Sequence, residues 1–261
     1  MPTAAAFSAC TMDEFPQKNI CKPGGNSLNF VLHARRRGWD ASIIGAIGND
    51  QNGKNILSLL KSRCVNHTRL YTVQGHTAKN RITIKNGERY SKPEDWNGGV
   101  YEQYRLSKHD WKFIFNHDWI ATTLFDPNFS GFLDRLHDDN LHVSVDFMHS
   151  PDPQSIQNIA DKLTLIFLSC AADEIKTYLS ISTKTPIIFM LSGEGSAAYY
   201  EGKLYKQDAL PVKEVIDTTG CGDAFHAAFC CSWHENHDIP SALYAGAAAG
   251  KETLAHIGGT F

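Results

Sequence analysis

The chain has no run approaching the roughly eighteen consecutive apolar residues that a membrane-crossing helix requires, which excludes that class. Its opening segment is apolar but short and has no basic stretch before it, so it reads as a strand rather than a secretion signal. A dominant charge of one sign is missing too. The 25 Lys and Arg against 28 Asp and Glu leave a net charge of −3. The only basic cluster, Arg35-Arg36-Arg37, is too short to make a polyanion-binding surface and reads as the solvated end of a helix, so no nucleic-acid or membrane partner is expected. Cysteine is sparse: 7 residues at irregular spacings in a chain of 261 exclude a disulfide framework. No second thiol or histidine pair completes a zinc pattern around Cys230-Cys231. Repeats and low-complexity linkers are absent. The expectation is a reduced, cytoplasmic protein with enough length for a sizeable core.

What is present is an alternation of strand-like and helix-like segments. Ala4 to Met12 reads as a first strand. Asn26 to Arg37 reads as a helix after a Gly-Gly break, with Leu28, Val31, Leu32 and Arg35 at helical spacing. Ala41 to Ile47 follows as a strand, and Asn52 to Lys61 as a helix. Between Arg69 and Ser91 the period changes: Ile82 and Ile84 alternate with polar neighbours and lead into Asn86-Gly87, a strong hairpin signal. This stretch predicts an antiparallel flap whose apolar face needs cover, from substrate or from a second subunit. The alternation then resumes through Val143–Phe147, Leu165–Leu168 and the almost wholly apolar Pro186–Leu191, the pattern of strands buried on both faces. Two Ala- and Gly-rich helices, Ala224–Trp233 and Ala242–Leu254, close the order.

The chemistry concentrates in Asp217-Thr218-Thr219-Gly220-Cys221-Gly222-Asp223. Phosphoryl transfer spreads negative charge over non-bridging oxygens, and the free N–H groups of a helix N-terminus stabilise such charge where glycine lets the backbone approach. Gly220 and Gly222 would supply that flexibility, and the helix from Ala224 the field. A carboxylate does not bind phosphate, so Asp223 suits a general base that takes the proton of an acceptor hydroxyl. Asp217, at the strand end, would hold a magnesium-bound water or orient the loop. For a bare Gly-x-Gly-Asp the competing reading is a plain helix start with Asp223 as N-cap. The longer Asp-Thr-x-Gly-x-Gly-Asp, between a strand and an Ala-rich helix, is more specific. His33, His109, His149 and His256 have no acid–base partner identifiable by spacing and read as surface or packed histidines.

Asp217 to Asp223 resembles the second signature of the ribokinase-like (PfkB) carbohydrate kinases, with Cys221 where the family usually has Ala. Gly24-Gly25-Asn26-Ser27-Leu28-Asn29, followed by Gly45-Ala46-Ile47-Gly48-Asn49-Asp50 and Gly53, resembles the first. Asp13 followed by Phe15-Pro16, and Lys251-Glu252-Thr253 before a Gly-rich tail, are most similar to the fructoselysine 6-kinase (fructosamine kinase-like) branch. The resemblance implies one three-layer α/β/α domain over residues 1–261 with a mostly parallel sheet. Residues of about 11–22 and 69–92 would form a β lid that also makes a homodimer contact. It implies a kinase using ATP and Mg2+ on a sugar or sugar–amine hydroxyl. Asp13, Gly25, Asn26 and Asn29 would bind the sugar. Gly220, Cys221 and Gly222 would form an anion hole with backbone groups. Asp217, Thr218, Ser192, Gly193 and Gly195 would lie on the nucleotide side. Asp173 and Glu174 would stand where the family has Asn-x-x-Glu for the metal.

Three departures accompany the likeness. Cys10 replaces a polar residue near the sugar. Met190-Leu191-Ser192 replaces the usual Thr-x-Gly, and the asparagine of the metal motif is absent from Ser169–Glu174. They motivate a second reading, a sugar- or nucleoside-binding paralogue with weak or no kinase activity.

Overall fold

The computed structural model describes residues 1–136 and 141–260. The chain begins with β1 (Thr3–Phe7), β2 (Thr11–Phe15) and β3 (Ile20–Gly24), then α1 (Asn26–Arg36), β4 (Asp40–Gly48), α2 (Gln51–Ser62) and β5 (Asn66–Val73). Next come β6 (Ala78–Arg81), β7 (Thr83–Lys85), β8 (Glu88–Tyr90), β9 (Trp96–Asn97), α3 (Gly99–Gln103), α4 (Lys108–Ile114), β10 (Trp119–Thr123) and α5 (Phe129–Leu133). The second half holds β11 (His142–His149), α6 (Pro153–Gln157), β12 (Leu165–Ser169), α7 (Ile175–Tyr178), β13 (Ile187–Met190), β14 (Ser196–Tyr200) and β15 (Lys203–Gln207). The long helices α8 (Cys221–Asn236) and α9 (Ile239–Thr253) complete it.

Nine strands form the central sheet in the order β15-β14-β13-β12-β11-β10-β1-β4-β5, parallel throughout except where β14 and β15 turn back. Period-two alternation divides its side chains between two cores. Ala4, Ala6, Trp119, Leu165 and Phe167 face the layer of α1, α2, α8 and α9, whereas Ala5, Phe7, Ile120, Ile166 and Leu168 face the layer that includes α4 to α7. This is the three-layer α/β/α arrangement that strands without polar interruption require. The first strand lies in the middle: β4 pairs with it on one side and β10 on the other. The strand order therefore reverses at β1, and the crevice beyond the carboxyl ends of β1 and β10 is the switch point where open α/β sheets bind ligands.

A second sheet, β3-β2-β6-β9, and the β7–β8 hairpin stand off this end as the flap. The hairpin turns through Asn86 and Gly87 at φ 53° and 81°, the paired left-handed residues that the dipeptide predicted. Three expectations are corrected. The run from Ala4 to Met12 is two strands, because Ser8 and Ala9 bend to accept from Ser27 at the start of α1 (Oγ to Ser8 O, 3.0 Å; N to Ala9 O, 3.3 Å). Asn66–Val73 belongs to the central sheet beside β4, so the second part of the flap begins near Ala78 rather than at Arg69. Ile82 is fully buried within this chain. Ile82 therefore needs no cover from a partner subunit, and of the pair only Ile84, half-buried on the hairpin, keeps apolar surface there.

Candidate active site

Two helix starts meet in the crevice. Gly25 caps α1 at φ 95°, and a Cβ there would stand 2.4 Å from Ala9 O, so the sharp entry to the helix requires glycine. The turn brings Asn26 and Asn29 onto one helix face, three residues apart. Gly220 caps α8 in the left-handed region at φ 78° and places Asp223 at the third helical position. The N-cap is thus Gly220, and Asp223 makes no cap bond. Its partners come from α1 instead: Asn26 Nδ2 donates to Oδ1 at 2.9 Å and Asn29 Nδ2 to Oδ2 at 2.7 Å. Amide nitrogens must face this acid, because an amide oxygen there would repel both carboxylate oxygens. The two asparagines expected to bind sugar hydroxyls each give one amide N–H to the acid. The buried Oδ1 of Asn29 has no hydrogen-bond partner among the described residues.

Burial pushes the Asp223 carboxyl above the ordinary carboxylate range, against the lowering effect of Asn29, Asn26 and the charge of Arg89. The N–H of Cys221 turns back to Thr218 O at 3.2 Å. The N–H groups of Gly222 and Asp223 lie in the first helical turn, where no intrahelical acceptor exists, and form the part of the expected anion hole that remains open. The Cys221 thiol points away to Gly250 O at 3.6 Å, its pKa pushed up to about 12 by burial and then by Asp217 and Asp223. Cys221 thus contributes backbone and small size to this corner, as an alanine would.

Asp13 lies on β2, buried, and accepts from Thr11 Oγ1 at 3.1 Å. A Cβ on Gly24 would meet its Oδ2 at 2.1 Å, so Gly24 is the gap into which this carboxylate fits. Burial raises Asp13 to about 6; Arg89 and Thr11 oppose the shift, and Asp223 and Asp217 add to it.

Asp217 is fully buried. Its Oδ1 accepts from Thr219 N and Oγ1 at 2.9 and 2.7 Å, and its Oδ2 from Gly258 N at 2.8 Å. With both oxygens engaged inside the protein it orients the loop, and the magnesium-water alternative for it is set aside. Thr218 links loop to flap: its N–H donates to Gly87 O at 3.0 Å and its Oγ1 accepts from Arg89 N at 2.9 Å. Ser192, Gly193 and Gly195 form a tight turn after β13, with Ser192 and Gly193 exposed. The turn lies at the same end of the sheet, since a Cβ on Gly222 would stand 3.6 Å from the sulfur of Met190 at the end of β13. Asp173 is exposed, while Glu174 accepts from Ala171 N at 2.8 Å and Ser150 Oγ at 3.1 Å. Among the described residues no group of three or more His, Cys, Asp or Glu is placed to hold a metal.

The sequence does not single out Arg89, and it marks Asp146 only as the acid of a buried strand, without a role. Arg89 reaches the site from β8, and its charge acts on both Asp13 and Asp223. Asp146 lies in the buried run of β11, just before the strand bulges and Met148 takes φ 63°. Burial lifts it to about 7, with the charge of Asp223 adding to the shift and the Met148 N–H at 2.8 Å opposing it. An acid in an otherwise apolar run was the available signal for Asp146; a hairpin arginine carries none.

Residues 16–261 match the family model for pfkB family carbohydrate kinases. The chain belongs to that family. This pfkB kinase is 26% identical over 264 residues to the fructoselysine 6-kinase of Escherichia coli (strain K12), with 99% of each chain covered. It is 26% identical over 263 residues to a fructosamine kinase of Bacillus subtilis (strain 168), covering 95% of this chain and 89% of that one. Among solved structures, Arabidopsis thaliana ribokinase complexed with ribose and ATP superposes with a TM-score of 0.80 at 17% identity, over 98% of this chain and 93% of that one. The adenosine kinase of Sinorhizobium meliloti gives 0.82 at 15% identity, over 100% and 95%. These structures share the fold. As a pfkB family member the protein is a sugar kinase, a phosphotransferase of the ATP-using type. No helix among the described residues is long and apolar enough to cross a membrane.

Proposed function

We propose that this kinase transfers the terminal phosphoryl group of ATP to a hydroxyl of a fructoselysine-like sugar–amine adduct, at the 6-position, with Asp223 as general base. The observation that carries the reading is the seat of Asp223. It is an acid of raised pKa inside the first turn of α8, beside the unpartnered N–H groups of Gly222 and Asp223 itself, with a second acid, Asp13, facing the same crevice. A base whose pKa lies nearer the working pH accepts a hydroxyl proton more readily than an ordinary carboxylate. The amide clamp fixes its direction without neutralising it. Asp13 carries acceptor oxygens suited to a neighbouring sugar hydroxyl. Similarity to the fructoselysine and fructosamine kinases over nearly their whole lengths supports this acceptor class.

The donor fits this corner. Gly220 and Gly222 present backbone without side chains, and the amides of the first turn supply positive charge where the transferred phosphoryl oxygens become more negative. The Ser192–Gly195 turn and Thr218 would flank the nucleotide. Magnesium takes one or two carboxylates beside the phosphates and keeps several waters. Asp173 is the exposed acid of the expected pair and would meet that water shell; Glu174 would do so only by releasing Ala171 or Ser150. The metal's contribution is to neutralise charge on the phosphates.

A coupled ADP-release assay with fructoselysine, fructose, ribose and adenosine tests the proposal. Fructoselysine should give the highest kcat/KM, and Asp223→Asn should lower kcat by roughly a thousandfold, within the range of general-base losses. A variant keeping more than a tenth of the parental rate removes Asp223 from the role. Preference for ribose or adenosine overturns the acceptor class.

A further inference from the structure

The last described residues run along the back of the asparagine clamp. Gly258 N donates to Asp217 Oδ2 at 2.8 Å, Gly259 O meets His33 Nε2 at 3.3 Å, and Thr260 Oγ1 donates to Pro23 O at 2.8 Å. Held by these three anchors, Gly259 lies flat on the side chain of Asn29. A Cβ at 259 would stand 2.5 Å from Asn29 Nδ2, 2.8 Å from Cγ and 2.9 Å from Oδ1. Gly220 closes the other side: its Cβ would stand 2.4 Å from Gly259 Cα and 3.1 Å from Asn29 Nδ2. The Asn29 amide is thus wedged between two stretches of backbone that only glycines allow to come so close. From that position it delivers its hydrogen bond to Asp223.

From this packing we infer that Gly259 is a positioning residue for phosphoryl transfer: the 258–260 segment is a strap that fixes the Asn29 amide, and the amide fixes the catalytic acid. The inference rests on the reading of Asp223 as the base. Its physical content is that neither wall can yield. Gly258 is tied to Asp217, the first residue of the Asp217–Asp223 signature, and Gly220 is the αL cap of α8 itself. A methyl group at 259 must therefore move Asn29, the remaining mobile side chain in the sandwich. Moving it lengthens the bond to Oδ2. That bond favours the ionised carboxylate, so its loss allows Asp223 to hold its proton to higher pH.

The test is a titration of the aspartate carboxyl groups by 13C NMR in full-length protein labelled at aspartate. The Asp223 signal is assigned by its disappearance in Asp223→Asn, and kcat is followed against pH with fructoselysine as acceptor. Gly259→Ala should move the Asp223 midpoint and the acid limb of kcat upward by about one pH unit, the tenfold equivalent of one charge-assisted hydrogen bond. The KM for ATP should stay at its parental value. Thr260→Val releases one anchor of the strap without touching Asn29 and should move both readouts the same way by a smaller amount. Thermal melting identifies folded variants; where Gly259→Ala does not fold, Thr260→Val decides. A folded variant with the parental Asp223 midpoint overturns the strap while leaving the base in place. Full turnover by Asp223→Asn overturns the base reading itself, whatever the strap variants do.

Discussion

Replacing Asp146 by asparagine should stabilise the protein at alkaline pH and leave it unchanged at acid pH. The carboxyl sits in the buried run of β11, where its ordinary value of 3.8 is lifted to about 7. A group whose folded-state pKa exceeds its unfolded value contributes stability that is fully present below the unfolded pKa and is lost as pH rises through the folded one. For Asp146 the contribution is complete below about pH 4 and gone above about pH 8. A shift of about three units corresponds to roughly 4 kcal/mol, and partial hydration of the crevice brings the working figure to about 2–4 kcal/mol. Asparagine is isosteric, and its Oδ1 still accepts from Met148 N, so the fold loses no bond. At about 2–4 °C per kcal/mol for a domain of this size, Asp146→Asn should melt roughly 4–15 °C above the parent at pH 8. At about pH 3, below the unfolded value, the two should coincide. Asp13 titrates in the same window but is present in both proteins and cancels in the difference. Differential scanning calorimetry at the two pH values, checked by urea denaturation, measures the effect. Equal melting temperatures at pH 8, or a loss of stability at both pH values, would show that Asp146 is ionised and satisfied in the folded protein and would refute the reasoning.

Gly24→Ala drives a Cβ into the Asp13 carboxylate, so the acceptor KM should rise roughly tenfold or more, the worth of one charged hydrogen bond, with the ATP KM unchanged; an unaltered acceptor KM in the folded variant removes Asp13 from sugar binding. Cys221→Ala should keep kcat within about twofold, because the thiol faces Gly250 and the open amides are those of Gly222 and Asp223. Iodoacetamide at pH 8 should modify the exposed Cys21 and Cys64 and spare Cys221, whose thiol is buried and protonated. Rapid inactivation protected by ATP would contradict that picture.

The sequence was readable where local geometry forces the residue type. Gly25 and Gly220 occupy left-handed caps, Asn86-Gly87 closes a hairpin, and the apolar runs became the inner strands. The positions of Gly220, Gly222 and Asp223 at a helix start followed from the same logic. Partner choice was not readable. Nothing local says that Asn26 and Asn29 each direct an amide N–H at an acid 197 and 194 positions away. Nor does period-two alternation distinguish Ile82, covered by its own chain, from an edge residue waiting for a partner. Asp217 and Asp223 look equivalent as letters. One has both oxygens occupied by its own loop and tail, while the other is held by a neighbouring helix beside open amides.

The clamp between α1 and α8 also bears on how the chain finds its fold. These helices pack through apolar residues such as Leu28, Phe30, Val31 and Phe229, and apolar surfaces tolerate sliding. The acid does not. If α8 docked one turn out of place, Asp223 would be enclosed without its two amides, and an unpaired buried carboxylate costs several kcal/mol. The residue proposed to accept the proton thereby also acts as a docking key, admitting only the alignment of the two helices in which the reaction is possible.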